Sequence, residues 1–97
     1  MSRVSGKPYF VYVLWSEAAK RFYTGISENP ESRLDQHNSG QLHGWTARFR
    51  PWQLVHSERF PDYAAARRRE KDLKAQKSGL GFFVKTGIDP ARFRRGS

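Results

Sequence analysis

The first run of apolar positions, Tyr9-Phe-Val-Tyr-Val-Leu-Trp15, is bounded by Pro8 and Ser16 and has no polar side chain beyond its two phenols. A run this short, aromatic and β-branched predicts a strand buried on both faces. Ser16 to Arg21 is polar and predicts a hairpin connection; Phe22-Tyr-Thr-Gly-Ile26 then predicts a short strand antiparallel to the first. Asn29-Pro30-Glu31 has the chemistry of a helix start: a capping side chain, a preset φ and a charge that complements the dipole. That helix is expected to run to about His37, with Asn38-Ser39-Gly40 stopping it. Gln41 to Pro51 predicts a basic, aromatic loop, and Trp52 to Phe60 a third strand with partial alternation. Pro61-Asp62 opens a longer helix from Tyr63 to about Lys77, broken by Ser78-Gly79. Leu80 to Lys85 predicts a short helix ended by Gly87, and Asp89-Pro90 a last helical turn before a basic tail. The order is ββαβα plus a C-terminal helical segment, which places the chain in the α+β class.

Composition changes this picture in two ways. The 97 residues suffice for one domain, and hydrophobic content of 37% includes 14 aromatic residues, enough to fill a small core. The absence of cysteine excludes disulfides and thiolate metal sites and fits a reducing compartment. No run reaches membrane-span length and no secretory pattern opens the chain, so a cytoplasmic protein with no membrane partner is expected. Charge is the second change. Eighteen Lys/Arg against nine Asp/Glu give +9, and residues 62–97, with ten basic and four acidic side chains, carry six of those nine. That balance favours a polyanionic partner, because neutralising phosphates releases condensed counterions.

Three placements carry candidate chemistry. Period two puts Phe10, Tyr12 and Leu14 on one face of the first strand, and Tyr23 with Gly25 on one face of the second. A glycine there lets a backbone or ligand approach closely. Arg33 and His37, four apart, project from the same side of the first helix; one suits phosphate, the other proton transfer. Glu70 falls within the apolar stripe Tyr63, Ala66, Leu73 of the second helix, flanked by Arg67, Arg68, Arg69 and Lys71. An inward carboxylate needs a partner. A salt bridge to Arg33 or a lysine is one solution; a hard divalent cation such as Mg²⁺, held by one carboxylate plus water and phosphate, is another.

Phe10-Val11-Tyr12, then Tyr23-Thr24-Gly25, then Arg33-Leu34-Asp35-Gln36-His37-Asn38, then Glu70 on a basic helix together resemble the GIY-YIG nuclease superfamily, and most closely its small standalone bacterial members. The resemblance covers roughly Tyr9 to Gln76. It implies a three-stranded antiparallel sheet flanked by helices, and cleavage of DNA phosphodiesters dependent on one Mg²⁺ or Mn²⁺ ion. It gives a domain over 8–88, between a flexible N-terminus at 1–7 and a basic tail at 89–97. Matched by position, Tyr12 and Tyr23 are the two motif tyrosines, Gly25 the second motif's glycine, Arg33 the helix arginine and His37 the histidine after it. Glu70 matches the metal-binding glutamate.

The catalytic set implied is therefore Tyr12, Tyr23, Arg33, His37 and Glu70, with a tyrosine whose pKa is lowered by nearby cations handling the water. DNA contact is assigned to Arg67, Arg68, Lys71 and Lys74 on the second long helix, to Arg48 and Arg50 in the 41–51 loop, and to Trp45, with Phe49, for stacking. His43 and His56 are expected to be incidental. No separate DNA-binding domain is evident, so specificity is expected to be low, structure-selective for branched or damaged DNA, or supplied by a protein partner. An alternative is a non-catalytic nucleic-acid-binding module with the same fold. Phe82-Phe83, standing where many members carry an asparagine, points that way. A small RNA-associated basic protein is a third class.

Overall fold

The computed structural model describes residues 7–42, 44–76 and 80–94. Almost all of the expected N-terminal segment 1–7, His43, the expected helix stop around Lys77 to Gly79, and the end of the basic tail lie outside the described residues. Three strands, β1 (Tyr9–Ser16), β2 (Arg21–Ser27) and β3 (Trp52–Phe60), form one antiparallel sheet in the order β2-β1-β3. β1 is central, which is why its sequence is apolar on both faces: Val11 to Trp15 are all buried. The chain is α+β, as its pattern of elements predicts.

Each face of the sheet is covered by a helical layer. Val11 and Val13 pack with Ala66 and Leu73 of α3 (Tyr63–Ala75) and Phe82 of α4 (Leu80–Thr86). On the other face, Tyr12 and Leu14 pack with Trp52, Tyr23 and Leu34, beneath α1 (Pro30–Ser39) and the four-residue α2 (Trp45–Arg48). The sequence pattern gives no sign of α2, which interrupts the expected 41–51 loop. Tyr63, expected on the inward stripe of α3, is half exposed, with its ring edge-to-face with Tyr9 at 5.5 Å.

Local chemistry sets the helix ends. Asn29 accepts from the Ser32 amide at 3.1 Å with Pro30 behind it, and Gly40 closes α1 in the left-handed conformation at φ 82°. Asp62 caps α3 by accepting from the Ala65 amide at 2.8 Å. Asn38 clamps α1 to the start of β3, donating to the Trp52 carbonyl and accepting from the Trp52 amide at 3.0 and 2.6 Å. On the α3 side, Arg69 forks onto Glu58 at 2.8 and 3.1 Å and also donates to the Lys85 carbonyl, tying β3, α3 and α4 together. His56 joins this cluster through Glu58 at 2.6 Å, away from the tyrosines.

Candidate active site

The candidate site is built along the open edge of the sheet, where β2 has no strand beyond it. Antiparallel register sets Tyr12 directly opposite Gly25. The Tyr12 ring lies over the glycine so closely that a β-carbon there would stand 2.7 Å from the phenol oxygen. What approaches Gly25 is therefore the first motif tyrosine itself.

Tyr12 is buried, and its hydroxyl meets His37 Nε2 at 3.2 Å. His37 is 2% exposed, and its other ring nitrogen meets Thr46 Oγ1 at 3.2 Å. Tyr23, half-buried, sets its ring edge-on to His37 at 4.9 Å and lies 6.2 Å from the Tyr12 ring. Tyr23, Arg33, His37, Trp45 and Thr46 line one shallow cleft of about 340 Å³. The Arg33 guanidinium makes no hydrogen bond or ion pair among the described residues, which leaves its five donors available at the cleft wall.

Burial pushes the Tyr12 hydroxyl pKa well above the ordinary tyrosine value; the Tyr23 phenol raises it further, Arg33 opposes the shift, and the Glu70 carboxylate adds to it. For Tyr12 this reverses the expectation of a phenol activated by cations. Desolvation outweighs the guanidinium, so Tyr12 stays protonated. Burial, and then the like charge of Arg33, hold His37 below its usual range, so the imidazole is neutral near pH 7.

Glu70 approaches from α3, on the opposite face of the sheet from α1, and its charge reaches Tyr12. Its carboxylate is paired with Arg67 at 2.8 Å and Lys74 at 2.9 Å, both on α3, and not with Arg33. Both cations are about half exposed. A groove of about 420 Å³ runs round the β2 edge from Tyr23 and Trp45 to Leu73 and Lys74, linking the two faces. Among the described residues no cluster of three or more His, Cys, Asp or Glu exists. A single carboxylate suits a hard ion that keeps water and phosphate ligands, and Glu70 would take one by releasing Arg67 and Lys74.

The residues assigned to DNA divide. Arg68 and Lys71 are exposed and form no ion pair among the described residues, whereas Arg67 and Lys74 are held by Glu70. Arg50 ties its loop to the Ala47 and Asn38 carbonyls at 2.7 and 3.4 Å, and Arg48 lies over Phe49 at 5.7 Å. Trp45 is 40% exposed and packs edge-on against Trp52 at 5.3 Å, which keeps part of its ring open. Thr46 and Asn38 are the site's unforeseen members. Asn38 closes the Arg33–Asn38 motif and so carried a signal, while Thr46 stands alone in a short helix.

Residues 8–79 match the family model for the GIY-YIG catalytic domain, and the chain belongs to that family of nuclease domains, for which a nucleic-acid substrate follows. A UPF0213 protein of Natronomonas pharaonis is 40% identical over 67 residues, covering 69% of this chain and 78% of the relative. A UPF0213 protein of Pediococcus acidilactici is 34% identical over 92 residues, covering 91% and 93%. The solution NMR structure of a UPF0213 protein from Bacillus halodurans is similar at 29% identity, with a TM-score of 0.43 over 70% of this chain and 71% of that one. No helix among the described residues is long and apolar enough to cross a membrane.

Proposed function

We propose that this chain is a divalent-metal-dependent endonuclease that hydrolyses DNA phosphodiester bonds with low sequence specificity or by structure, serving DNA repair or recombination in the cytoplasm. The observation that carries this reading is the convergence of Tyr23, Arg33 and His37 on one cleft at the β2 edge, with buried Tyr12 hydrogen-bonded to His37 behind it and the Glu70 charge reaching that phenol.

Glu70 would hold one Mg²⁺ or Mn²⁺ once Arg67 and Lys74 turn toward DNA phosphates, and the ion supplies Lewis-acid charge to the phosphoryl group. Arg33, without an ion pair or hydrogen bond among the described residues, grips a non-bridging oxygen. Tyr23, the phenol that faces the cleft, holds the attacking water. The proton leaving that water passes to Tyr12 Oη as the Tyr12 proton moves to His37 Nε2, so neither phenol needs a depressed pKa. Arg68 and Lys71 add backbone contacts, and the open face of Trp45 takes a base at a branch or lesion.

The test is a screen of plasmid, flap, junction and damaged DNA with Mg²⁺ or Mn²⁺. Nicking that disappears in Glu70→Ala and Arg33→Ala supports the reading. Product ladders that are the same for wild type and both variants defeat it.

One observation favours the second reading, a nucleic-acid-binding module without turnover: both Glu70 oxygens are already neutralised by cations of α3. That module binds DNA in a salt-sensitive way, is indifferent to EDTA, and cleaves nothing in the screen.

A further inference from the structure

The cleft holds one buried hydroxyl that neither the family motifs nor the charge pattern points to. We propose that Thr46 is a positioning residue: by accepting from Nδ1 it fixes His37 as the Nδ1–H tautomer, leaving the Nε2 lone pair to receive the Tyr12 proton. This rests on the nuclease reading for its purpose, though its geometry stands apart from it.

A neutral imidazole has one N–H and one lone pair, and the hydrogen bond made by one nitrogen dictates the role of the other. His37 has both nitrogens occupied, by Tyr12 Oη and Thr46 Oγ1, each at 3.2 Å. Tyr12 keeps its proton and is buried, so that proton needs an acceptor; His37 Nε2 stands in hydrogen-bond geometry to take it, and the Tyr23 hydroxyl is the competing partner. With Nε2 as that acceptor, Nδ1 donates, and Thr46 Oγ1 is the oxygen it meets.

The hydroxyl is held there by a closed ring of contacts. The Trp52 indole donates to the Thr46 carbonyl at 2.7 Å. Trp52 is in turn clamped by Asn38, the residue after His37. Thr46 and Trp52 are both buried. Position of the hydroxyl and position of the imidazole are therefore set by the same three elements, α1, α2 and β3. In the transfer step the arrangement has a second use. When Nε2 takes the Tyr12 proton the ring becomes an imidazolium, and the Thr46 oxygen is already placed to accept from its Nδ1–H.

Thr46→Val keeps the shape and removes the acceptor; Thr46→Ser keeps the acceptor. Nitrogen-15 chemical shifts of His37 report which ring nitrogen carries the proton. Wild type and Thr46→Ser are expected to show protonated Nδ1, and Thr46→Val a shift toward protonated Nε2. Under the nuclease reading, Thr46→Val also lowers kcat with KM for DNA little changed, by a factor on the order of the 10²–10⁴ that a positioned proton-transfer group contributes, or less. Protonated Nε2 in the wild type, with Tyr12 donating instead to neighbouring Tyr23, overturns the inference even if no variant folds. An unchanged tautomer in a folded Thr46→Val overturns it as well. If the tautomers behave as expected and the wild type cuts no DNA, the nuclease reading fails and the positioning role of Thr46 stands.

Discussion

Gly25 and Tyr12 face one another across β2 and β1, and the phenol fills the volume that any side chain at position 25 would require. The glycine of the second motif and the tyrosine of the first are thus one structural unit.

That unit is tested by Gly25→Ala. Its new methyl would meet Tyr12 Oη at 2.7 Å and Cζ at 2.8 Å. The ring is buried and cannot swing away, so the fold is expected to lose about 1–3 kcal/mol, as overpacked cores do. Urea unfolding measures the loss. In a double-mutant cycle with Tyr12→Ala the two changes should be clearly non-additive, since the clash disappears with the ring.

Glu70 faces competition for its charge. Lys74→Ala frees one carboxylate oxygen, so Mn²⁺ binding followed by calorimetry should tighten in the absence of DNA. Glu70→Ala should abolish it. Binding that is indifferent to both substitutions would place the metal elsewhere.

The pH dependence follows from His37. Its folded pKa lies below the unfolded value because burial, then Arg33, disfavour the imidazolium. A depressed pKa of this kind contributes stability that is present above the unfolded value, near 6.5, and is lost as pH falls through the folded value. Wild type should therefore lose stability on acidification more steeply than His37→Gln, as urea midpoints at neutral and acid pH will show. Arg33→Gln removes the nearby like charge and should raise the His37 pKa in an NMR titration.

Arg68 and Lys71 are the exposed basic residues of α3 without an ion pair among the described residues. Replacing both with glutamine should weaken DNA binding across all sequences and reduce the slope of log K against log salt by roughly 0.9 for each phosphate that is no longer neutralised. Arg69→Gln should instead destabilise the fold, since that guanidinium is engaged by Glu58, Asp72 and the Lys85 carbonyl.

Much of this was legible in the chain because it depends on local spacing. The both-face burial of β1, the shared face of Tyr23 and Gly25, and the Asn29 and Asp62 caps all follow from period and side-chain chemistry. The Arg33 and His37 spacing likewise puts both side chains at one cleft. What spacing does not carry is desolvation. The direction of the Tyr12 pKa turns on how deeply β1 is buried, so the nearby cations alone mislead. Four residues are too few to give α2 a helical period, and without α2 nothing singles out Thr46. Tyr63 shows the converse: correct spacing for the inward stripe, but a place at the helix start, beyond the edge of the packed layer.

The most direct test is single-turnover cleavage of an end-labelled branched DNA by wild type and Tyr12→Phe, with Mn²⁺ present and with EDTA. Hydrolysis that needs the metal and falls by on the order of a hundredfold in Tyr12→Phe, with DNA affinity retained, is the expected result. Equal rates for the two proteins, or cleavage that persists in EDTA, would contradict a hydrolytic site at the β2 edge.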